Sequence, residues 1–315
     1  MQRPGSISVC EVGPRDGFQM ETAFIPTDVK VRVINALSRT GLHEIQATSF
    51  VHPRAIPQLR DAEEVMARIT RAPGVRYTGL VLNERGVERA IAARVDRIEM
   101  VVSTSDSHSL SNANMTTAQA MERAGRVVAI ARQAGVDVAI GFATALGCPF
   151  EGFLPFERIE GLARRAVEEF GVSRISIADT VGMANPTLVA TVVRSLRDRF
   201  PAVTLSLHLH NTRGMGLANV IAGIEAGVTH FDASVAGLGG CPYAPGATGN
   251  IATEDLVHML EEMGIATYVR LDALLEVAAE VRDVAGHAES SVLRAGTSRM
   301  LLGAQRQAQM KLGAS

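Results

Sequence analysis

Two histidines stand two positions apart in the segment TLSLHLHNTRG, residues 204–214. At the period of two that a β-strand imposes, the three leucines of this segment share one face. His208 and His210 share the other face with serine and threonine. Neutral imidazole is a common metal ligand, and a lone histidine would more often be a structural residue. Two of them on one polar face therefore predict a metal site.

Further candidate ligands occur near both ends of the chain. Asp16 lies in EVGPRDGFQ, where an aspartate beside glycine also commonly bonds the backbone of its own turn. Asn250 and Cys241 lie in a long glycine-rich segment of the kind that often forms an active-site lid. Together, Asp16, His208, His210 and Asn250 offer one carboxylate, two imidazoles and one amide oxygen. This set needs no thiolate, so it favours Mg²⁺ or Mn²⁺ with open coordination positions.

The chemistry that such a centre predicts is Lewis-acid catalysis. Open positions on the ion would let a substrate bind through neighbouring oxygen atoms. Arg15, next to a candidate ligand, is suited to stabilise a developing oxyanion. Cys241, on the glycine-rich segment, is suited to donate a proton when the site closes.

Eight β-rich runs alternate with amphipathic stretches along the chain, which predicts a (β/α)8 TIM barrel. Several of these stretches end in glycine directly before the next run, as helices do at their C-termini. A doubly wound open sheet is the alternative, but no glycine-rich phosphate-binding sequence follows the first run. In a barrel the chemistry lies on the loops after the strands, where the candidates above fall. The runs cover residues 6–12, 44–50, 75–82, 97–104, 136–144, 174–180, 203–210 and 230–237.

No low-complexity linker divides the chain of 315 residues. We therefore expect one catalytic domain over residues 1–315. The barrel should occupy about residues 6–265, and a C-terminal helical extension should occupy about residues 266–315.

Composition argues against several other classes of protein. The chain has 31 lysines and arginines against 33 acidic residues, a formal net charge of -2, which disfavours nucleic acid and anionic membranes as partners. No apolar run reaches transmembrane length, and the first residues lack the apolar segment of a secretory signal. Three widely spaced cysteines argue against a disulfide scaffold. We therefore expect a cytoplasmic protein.

Six segments of the chain have a distinctive sequence: EVGPRDGFQ, SFVHPRAIPQ, ALGCPFEG, IADTVGMANP, HLHNTRGMGLAN and GLGGCPYAPGATGNIATEDLV. They resemble those of the 3-hydroxy-3-methylglutaryl-CoA (HMG-CoA) lyase family, which belongs to the metal-dependent lyases and Claisen-condensing enzymes on TIM barrels. The resemblance extends from about residue 6 to about residue 263, and the last segment is highly specific.

The resemblance implies roles for particular residues and for partners. It places the metal ligands on the same four residues that position and spacing indicated. The catalytic arginine falls on Arg15, the proton-donating cysteine on Cys241, and a further active-site acid on Asp179. We expect His208 to combine the roles of ligand and base. The implied cofactor is a divalent ion, the implied substrate is an acyl-CoA, and a homo-oligomer is expected.

The chain also departs from the family at three positions. Gln46 stands where the lyases carry a glutamate, and Met20 stands where an asparagine is expected. The family's arginine shortly before the ALGCP segment has no counterpart. These changes predict a pocket that holds the substrate carboxylate differently. We expect substrate contacts at Gln19, Gln46, Ser49 and Asn112, the last within a polar run, residues 103–116, that reads as a solvated loop.

The function expected from these residues is cleavage of a branched 3-hydroxyacyl-CoA, such as HMG-CoA, to acetyl-CoA and a carbonyl product such as acetoacetate. A citramalyl-CoA-type lyase that yields pyruvate is one alternative, and a Claisen-condensing synthase on the same barrel is another. A metal- and CoA-binding relative with little catalysis is a third alternative, which the glutamine at position 46 motivates.

Overall fold

The computed structural model describes residues 4–240, 249–300 and 302. Eight parallel strands form a closed barrel in sequential order, and the last strand pairs with the first. This confirms the predicted (β/α)8 TIM barrel. The strands are β1 (Ser8–Glu11), β2 (Glu44–Ser49), β3 (Arg76–Val81), β4 (Arg97–Ser103), β5 (Asp137–Ala143), β6 (Arg174–Asp179), β7 (Thr204–Leu209) and β8 (His230–Ala233).

At least one helix follows every strand, and two further helices follow the barrel. Over the described residues they are α1 (Thr27–Leu37), α2 (Ala62–Arg68), α3 (Glu84–Ala92), α4 (Asp106–Ala113), α5 (Thr117–Gln133), α6 (Phe156–Arg164), α7 (Pro186–Arg199), α8 (Gly216–Glu225), α9 (Thr253–Glu262), α10 (Leu271–Ala285) and α11 (Ser291–Ala295).

Local side-chain caps explain where several of these helices begin. The Asn83 side chain accepts a hydrogen bond from the first turn of α3, and Asn185 does the same for α7, which starts with Pro186. Thr116 and Gln119 form a reciprocal capping box on α5. Four glycines predicted at helix ends have the positive φ that terminates a helix: Gly41, Gly135, Gly171 and Gly227.

The polar run after β4 is not the solvated loop that its composition predicts. Residues 106–113 form α4, which Ser105 caps by accepting a hydrogen bond from the backbone N–H of His108 at 3.1 Å. Asn114 ends the helix in the left-handed conformation, with φ +52°. Serine and asparagine favour loops when unpaired, but here Ser105 and Asn114 are the two caps of a short helix.

The two faces of the barrel strands differ in chemistry. The three leucines of β7 are buried with the apolar core, whereas His208 on the other face lines a cavity. The barrel interior also contains the ion pair between Glu44 and Arg97, both largely buried. Many TIM barrels fill this space with layers of branched apolar side chains. In this chain a polar interior lies directly beneath the mouth of the barrel.

The helical extension after the barrel is also confirmed over the described residues. α10 packs against α1 and α9, and Gly286 ends it in the left-handed conformation. α11 begins at the cap of Ser290 and contacts α9 and α10. The placement of the domain boundary near residue 265 stays a prediction. Among the described residues, no helix has the combination of length and apolar character needed to cross a bilayer.

Candidate active site

A cavity of about 220 Å³ lies at the mouth of the barrel. Strands β2 to β8 and the loop after β1 all contribute to its walls. This is the end of a TIM barrel where catalytic groups are found. Seven of the residues predicted from the sequence line the cavity: Arg15, Asp16, Gln19, Gln46, Asn112, His208 and His210.

Three predicted metal ligands converge on one point of this cavity. Asp16, His208 and His210 each offer a ligand atom, and these atoms all lie within 4.8 Å of one another. The two Nε2 atoms of the histidines are 3.2 Å apart, and Nε2 of His208 is 3.6 Å from a carboxylate oxygen of Asp16. Carboxylate and neutral imidazole at this spacing fit a small divalent cation.

The fourth predicted ligand, Asn250, lies in the same place. Its Nδ2 atom donates to Asp16 at 2.7 Å and to the backbone of Leu238 at 3.2 Å. Its Oδ1 atom is buried and has no hydrogen-bond partner within the described residues. A buried amide oxygen without a partner is costly, and a cation would satisfy it after a rotation of the amide group. The donor set therefore fits a metal ion.

Backbone pairing places Asn250 beside the histidines. His210 and Asn250 form an isolated β-bridge, and the backbone N–H of Asn211 donates to Gly249. Gly239 approaches so closely that a Cβ atom there would lie 2.5 Å from Nδ2 of Asn250. Its φ of +122° also favours glycine. The described ends of the glycine-rich segment are therefore anchored at the candidate metal site.

The charges of the site favour ligating protonation states. Burial alone would raise the pKa of Asp16, but the positive charges of Arg15 and the two histidines lower that pKa to about 2. Burial lowers the pKa of His210 to about 3. Asp16 is therefore ionised and His210 is neutral at pH 7, which are the forms that bind a cation.

His208 differs from its neighbour because it has an acidic partner. Burial lowers its pKa, but a hydrogen bond with Asp232 and the charge of Asp16 outweigh burial and raise it. Nδ1 of His208 lies 3.1 Å from a carboxylate oxygen of Asp232 on β8. A carboxylate behind a histidine fixes the tautomer that points Nε2 toward a metal, and makes that nitrogen more basic.

Arg15 connects the metal ligands to the second strand. Its Nη1 donates to Asp16, and its Nε donates to the amide oxygen of Gln46. The guanidinium is about nine-tenths buried and lines the cavity. A preorganised cation at this position can stabilise an oxyanion that develops next to the metal. Gln46 orients this arginine through a neutral amide, where a glutamate would supply a negative charge.

The loop that carries Arg15 and Asp16 is held by a buried acid. Glu11 accepts hydrogen bonds from the backbone N–H groups of Gly13 at 2.7 Å and Val235 at 2.8 Å, while Thr253 contributes a third at 2.6 Å. A Cβ atom at position 13 would lie 2.7 Å from a Glu11 oxygen. The carboxyl group therefore ties the first loop to the end of β8 and the start of α9.

Two further predicted site residues do not line this cavity, and a third lies outside the described residues. Ser49 is buried on β2, accepts a hydrogen bond from Val51 at 3.3 Å, and is not part of the cavity lining. Asp179 is also absent from that lining, and it accepts hydrogen bonds from the backbone of Met183 and Ala184 at 2.8 and 3.1 Å. Burial raises the pKa of Asp179 to about 6. Cys241 lies outside the described residues.

Two acids in the cavity were missed by the sequence reasoning. Asp232 supports His208, and Glu99 on β4 lines the cavity wall. A signal for Asp232 existed in the run HFDAS, where His230, Asp232 and Ser234 alternate with apolar residues. The run RIEMVV places Arg97 and Glu99 on one face in the same way. Period-two reading of every strand would have found both.

Known proteins share this architecture over most of the chain. A family model described as HMGL-like matches residues 6–281. Hydroxymethylglutaryl-CoA lyase YngG of Bacillus subtilis is 45% identical over 286 residues, which cover 91% of this chain and 95% of that protein. A crystal structure of the Bacillus subtilis HMG-CoA lyase superposes with a TM-score of 0.91 at 44% identity, and covers 93% of this chain and 99% of its own.

A second solved structure is similar to a comparable degree. It is an HMG-CoA lyase from Acinetobacter baumannii in complex with coenzyme A and 3-methylmalate, with a TM-score of 0.89 at 43% identity. The match covers 93% of this chain and 96% of that one. A family model over most of the chain and relatives at this identity establish the family. The chain belongs to the HMGL-like family of lyases.

Proposed function

We propose that the chain is a divalent-metal-dependent carbon–carbon lyase that cleaves a branched 3-hydroxyacyl-CoA to acetyl-CoA and a carbonyl product. HMG-CoA, which would yield acetoacetate, is the first candidate substrate. The observation that carries the proposal is the convergence of Asp16, His208 and His210 within 4.8 Å at the mouth of the barrel. Relatives that share the whole barrel are named HMG-CoA lyases, which supports the same reaction class.

Asp16, His208, His210 and Asn250 would hold the ion, with Mg²⁺ or Mn²⁺ as the proposed occupant. Once bound, the ion would act as a Lewis acid toward the oxygens of the substrate. Carboxylate, imidazole and amide ligands are all borderline or hard, so they suit either metal. Titration of metal-free protein with each ion distinguishes the two.

The remaining chemistry is assigned to side chains. Arg15 holds the C3 oxygen of the substrate, and a base takes the hydroxyl proton. The expected second role of His208 as this base stays a prediction, because its Nε2 faces the proposed ion and its Nδ1 faces Asp232. The C3–O bond gains double-bond character while the C2–C3 bond breaks, and its electron pair goes to C2 as the enolate of acetyl-CoA. A proton on C2 completes the product. By family resemblance we assign that donation to Cys241.

The pocket lining bears on which acyl group the substrate carries. Gln46, Met20 and the small residues Gly141 and Ala143 line the pocket, which agrees with a changed binding mode for the acyl end. A second candidate is therefore a citramalyl-CoA-type substrate that yields pyruvate. The Acinetobacter baumannii relative was crystallised with a dicarboxylic hydroxy acid, 3-methylmalate, which favours retaining this candidate.

A panel of thioesters tests the proposal. Purified protein with Mg²⁺ or Mn²⁺ should release acetyl-CoA from at least one 3-hydroxyacyl-CoA, and product analysis should distinguish acetoacetate from pyruvate. EDTA or the substitution His208→Ala should abolish release, because each removes the metal centre. Absence of release from the whole panel would refute the lyase assignment. If the protein instead forms a condensed thioester from acetyl-CoA and an oxo acid, and cleaves none of the panel, the result would favour a synthase.

Two expectations about the protein in the cell stay predictions. A homo-oligomer is proposed from the resemblance, and light scattering on the purified protein tests it. A cytoplasmic location is proposed from the sequence alone, and fractionation of the source cells tests it.

A further inference from the structure

Glu99 lies in the barrel and has no role in the reaction proposed above. It lies on β4, two residues after Arg97, and its side chain lines the large cavity at the mouth. It also lines a second, smaller cavity of about 30 Å³ beneath the first. Glu99 therefore forms part of the floor of the substrate pocket, at the level of Gln46 and Asp232, which line both cavities as well.

The neighbouring strand leaves space for the carboxyl group of Glu99. A Cβ atom at Gly141 on β5 would lie 2.8 Å from Oε1 of Glu99. Gly141 is not among the residues with positive φ, so its backbone would accept a side chain. The glycine at this position provides room for the acid rather than an unusual backbone conformation.

The nearest positive charges are already engaged with other partners. Arg97 pairs with Glu44, and Arg15 donates to Asp16 and to Gln46. Within the described residues, Glu99 has no hydrogen-bond or ion-pair partner. A half-buried carboxyl group that faces an open pocket without a protein partner is available to a ligand.

Burial and the surrounding charges determine the protonation state of Glu99. Burial, together with the negative charge of Asp232, raises the pKa of Glu99 to about 8, although Arg97 and Arg15 oppose this. The acid is therefore mostly protonated at pH 7. A protonated carboxyl group donates one hydrogen bond, and its strongest acceptor is a carboxylate.

The geometry points to Glu99 as a specificity-determining residue that binds the terminal carboxylate of the acyl group. This inference rests on the proposed function, which fixes the C1 and C3 oxygens of the thioester near Asp16 and His208. The remaining oxygen atoms of a branched 3-hydroxy dicarboxylic acyl chain are those of its far carboxylate. Of the lysines and arginines in the described part of the chain, only Arg15 lines the cavity. Uncharged donors of the lining are therefore left to bind that carboxylate, and protonated Glu99 is one of them.

Two ligands that differ only in this carboxylate test the inference. The KM for HMG-CoA and the Ki of 3-hydroxy-3-methylbutyryl-CoA, in which hydrogen replaces the carboxylate, are measured for the parent, Glu99→Leu and Glu99→Gln. Leucine should raise the KM at least about tenfold, the usual effect of a lost hydrogen bond to a charged group, and leave the Ki unchanged. Glutamine, a neutral donor of similar volume, should restore the KM.

The outcomes separate this inference from the proposed function. If the parent cleaves no thioester of the panel, the lyase assignment fails and the role of Glu99 fails with it. If the parent cleaves HMG-CoA but Glu99→Leu changes KM and Ki equally, or changes neither, only the inference is overturned. A KM for Glu99→Gln as high as that for Glu99→Leu would also overturn it, since glutamine still donates a hydrogen bond.

Two further variants guard against trivial explanations. Glu44→Gln alters a buried acid that lines only the smaller cavity, and should leave the ratio of KM to Ki at the parental value. A changed ratio there would attribute the effect to interior charge in general and overturn the inference. If Glu99→Leu does not fold, Gly141→Ala decides instead, because its methyl group displaces the carboxyl. An unchanged KM in a folded Gly141→Ala would then refute the role.

Discussion

At the scale of single residues, the proposed metal site depends on Asp232, an acid that is not itself a proposed ligand. The carboxylate of Asp232 lies 3.1 Å from Nδ1 of His208, on the side away from the proposed ion. It thereby fixes which nitrogen carries the proton and supplies electron density to the other. Metal affinity should therefore respond to a residue on β8 that is not itself a ligand.

Asp232→Asn should weaken Mn²⁺ binding by roughly tenfold to a hundredfold, the usual effect of losing such a carboxylate. The amide keeps the shape and can still accept a hydrogen bond, so the fold should survive. Calorimetric titration of metal-free protein measures the effect. Asp137→Asn, an exposed acid at the start of β5, is the matched control. Equal dissociation constants for the two variants would contradict the assigned role of Asp232.

At the scale of elements, a buried acid joins three pieces of chain at the barrel mouth. Burial raises the pKa of Glu11 from 4.5 to about 8, against the opposing hydrogen bonds from Thr253, Val235 and Gly13. The folded chain thus binds this proton more tightly than the unfolded chain does. The free energy of unfolding should fall as the pH rises from about 4.5 toward 8, because the folded state must either keep the proton or bury a charge.

Glu11→Gln should remove this part of the pH dependence. Its amide can accept the two backbone N–H groups and donate to Thr253, so the loop geometry is kept. Melting temperatures from pH 5 to pH 9 should decline less steeply in the variant than in the parent. The comparison isolates Glu11 from Glu254, a neighbouring acid whose pKa burial raises to about 7. Parallel melting curves of parent and variant against pH would show that Glu11 does not titrate in this range.

The sequence predicted some elements and missed others. Alternating β-rich and amphipathic runs were sufficient to predict the barrel, and the polar face of β7 was sufficient to predict the two histidines as ligands. The helix α4 was not predictable in this way, because its polar composition suits a loop until Ser105 and Asn114 act as caps. Glu99 and Asp232 were missed for another reason. A period-two reading places both acids on the polar faces of their strands, but the groups that they meet are known only from the closed barrel.

At the scale of the whole molecule, the proposed metal site joins distant parts of the chain. Asp16 follows β1, the two histidines belong to β7 and the residue after it, and Asn250 precedes α9. A ligand that binds only this assembled arrangement stabilises the entire folded state. Metal binding should therefore be detectable as thermal stability, independently of turnover.

Mn²⁺ at one hundred times its dissociation constant should add about 2.7 kcal/mol to the free energy of unfolding. For a chain of this size, that corresponds to a rise of several degrees in melting temperature. His208→Ala should fold but show a much smaller rise, since it lacks one ligand. Scanning calorimetry with and without the metal measures both. An equal rise in the parent and in His208→Ala would place the stabilising ion somewhere else.

The hydrogen bonds that close the barrel mouth span almost the whole chain, since Thr253 reaches back to Glu11 across 242 positions. During synthesis from the N-terminus, at about 5–20 residues per second, the first strand waits on the order of 10 to 50 seconds for this partner. Throughout that interval β1 lacks its neighbour β8, and its edge is open to pairing with other chains. A nascent polypeptide therefore acquires neither its cofactor nor a sealed sheet until its eighth strand has left the ribosome.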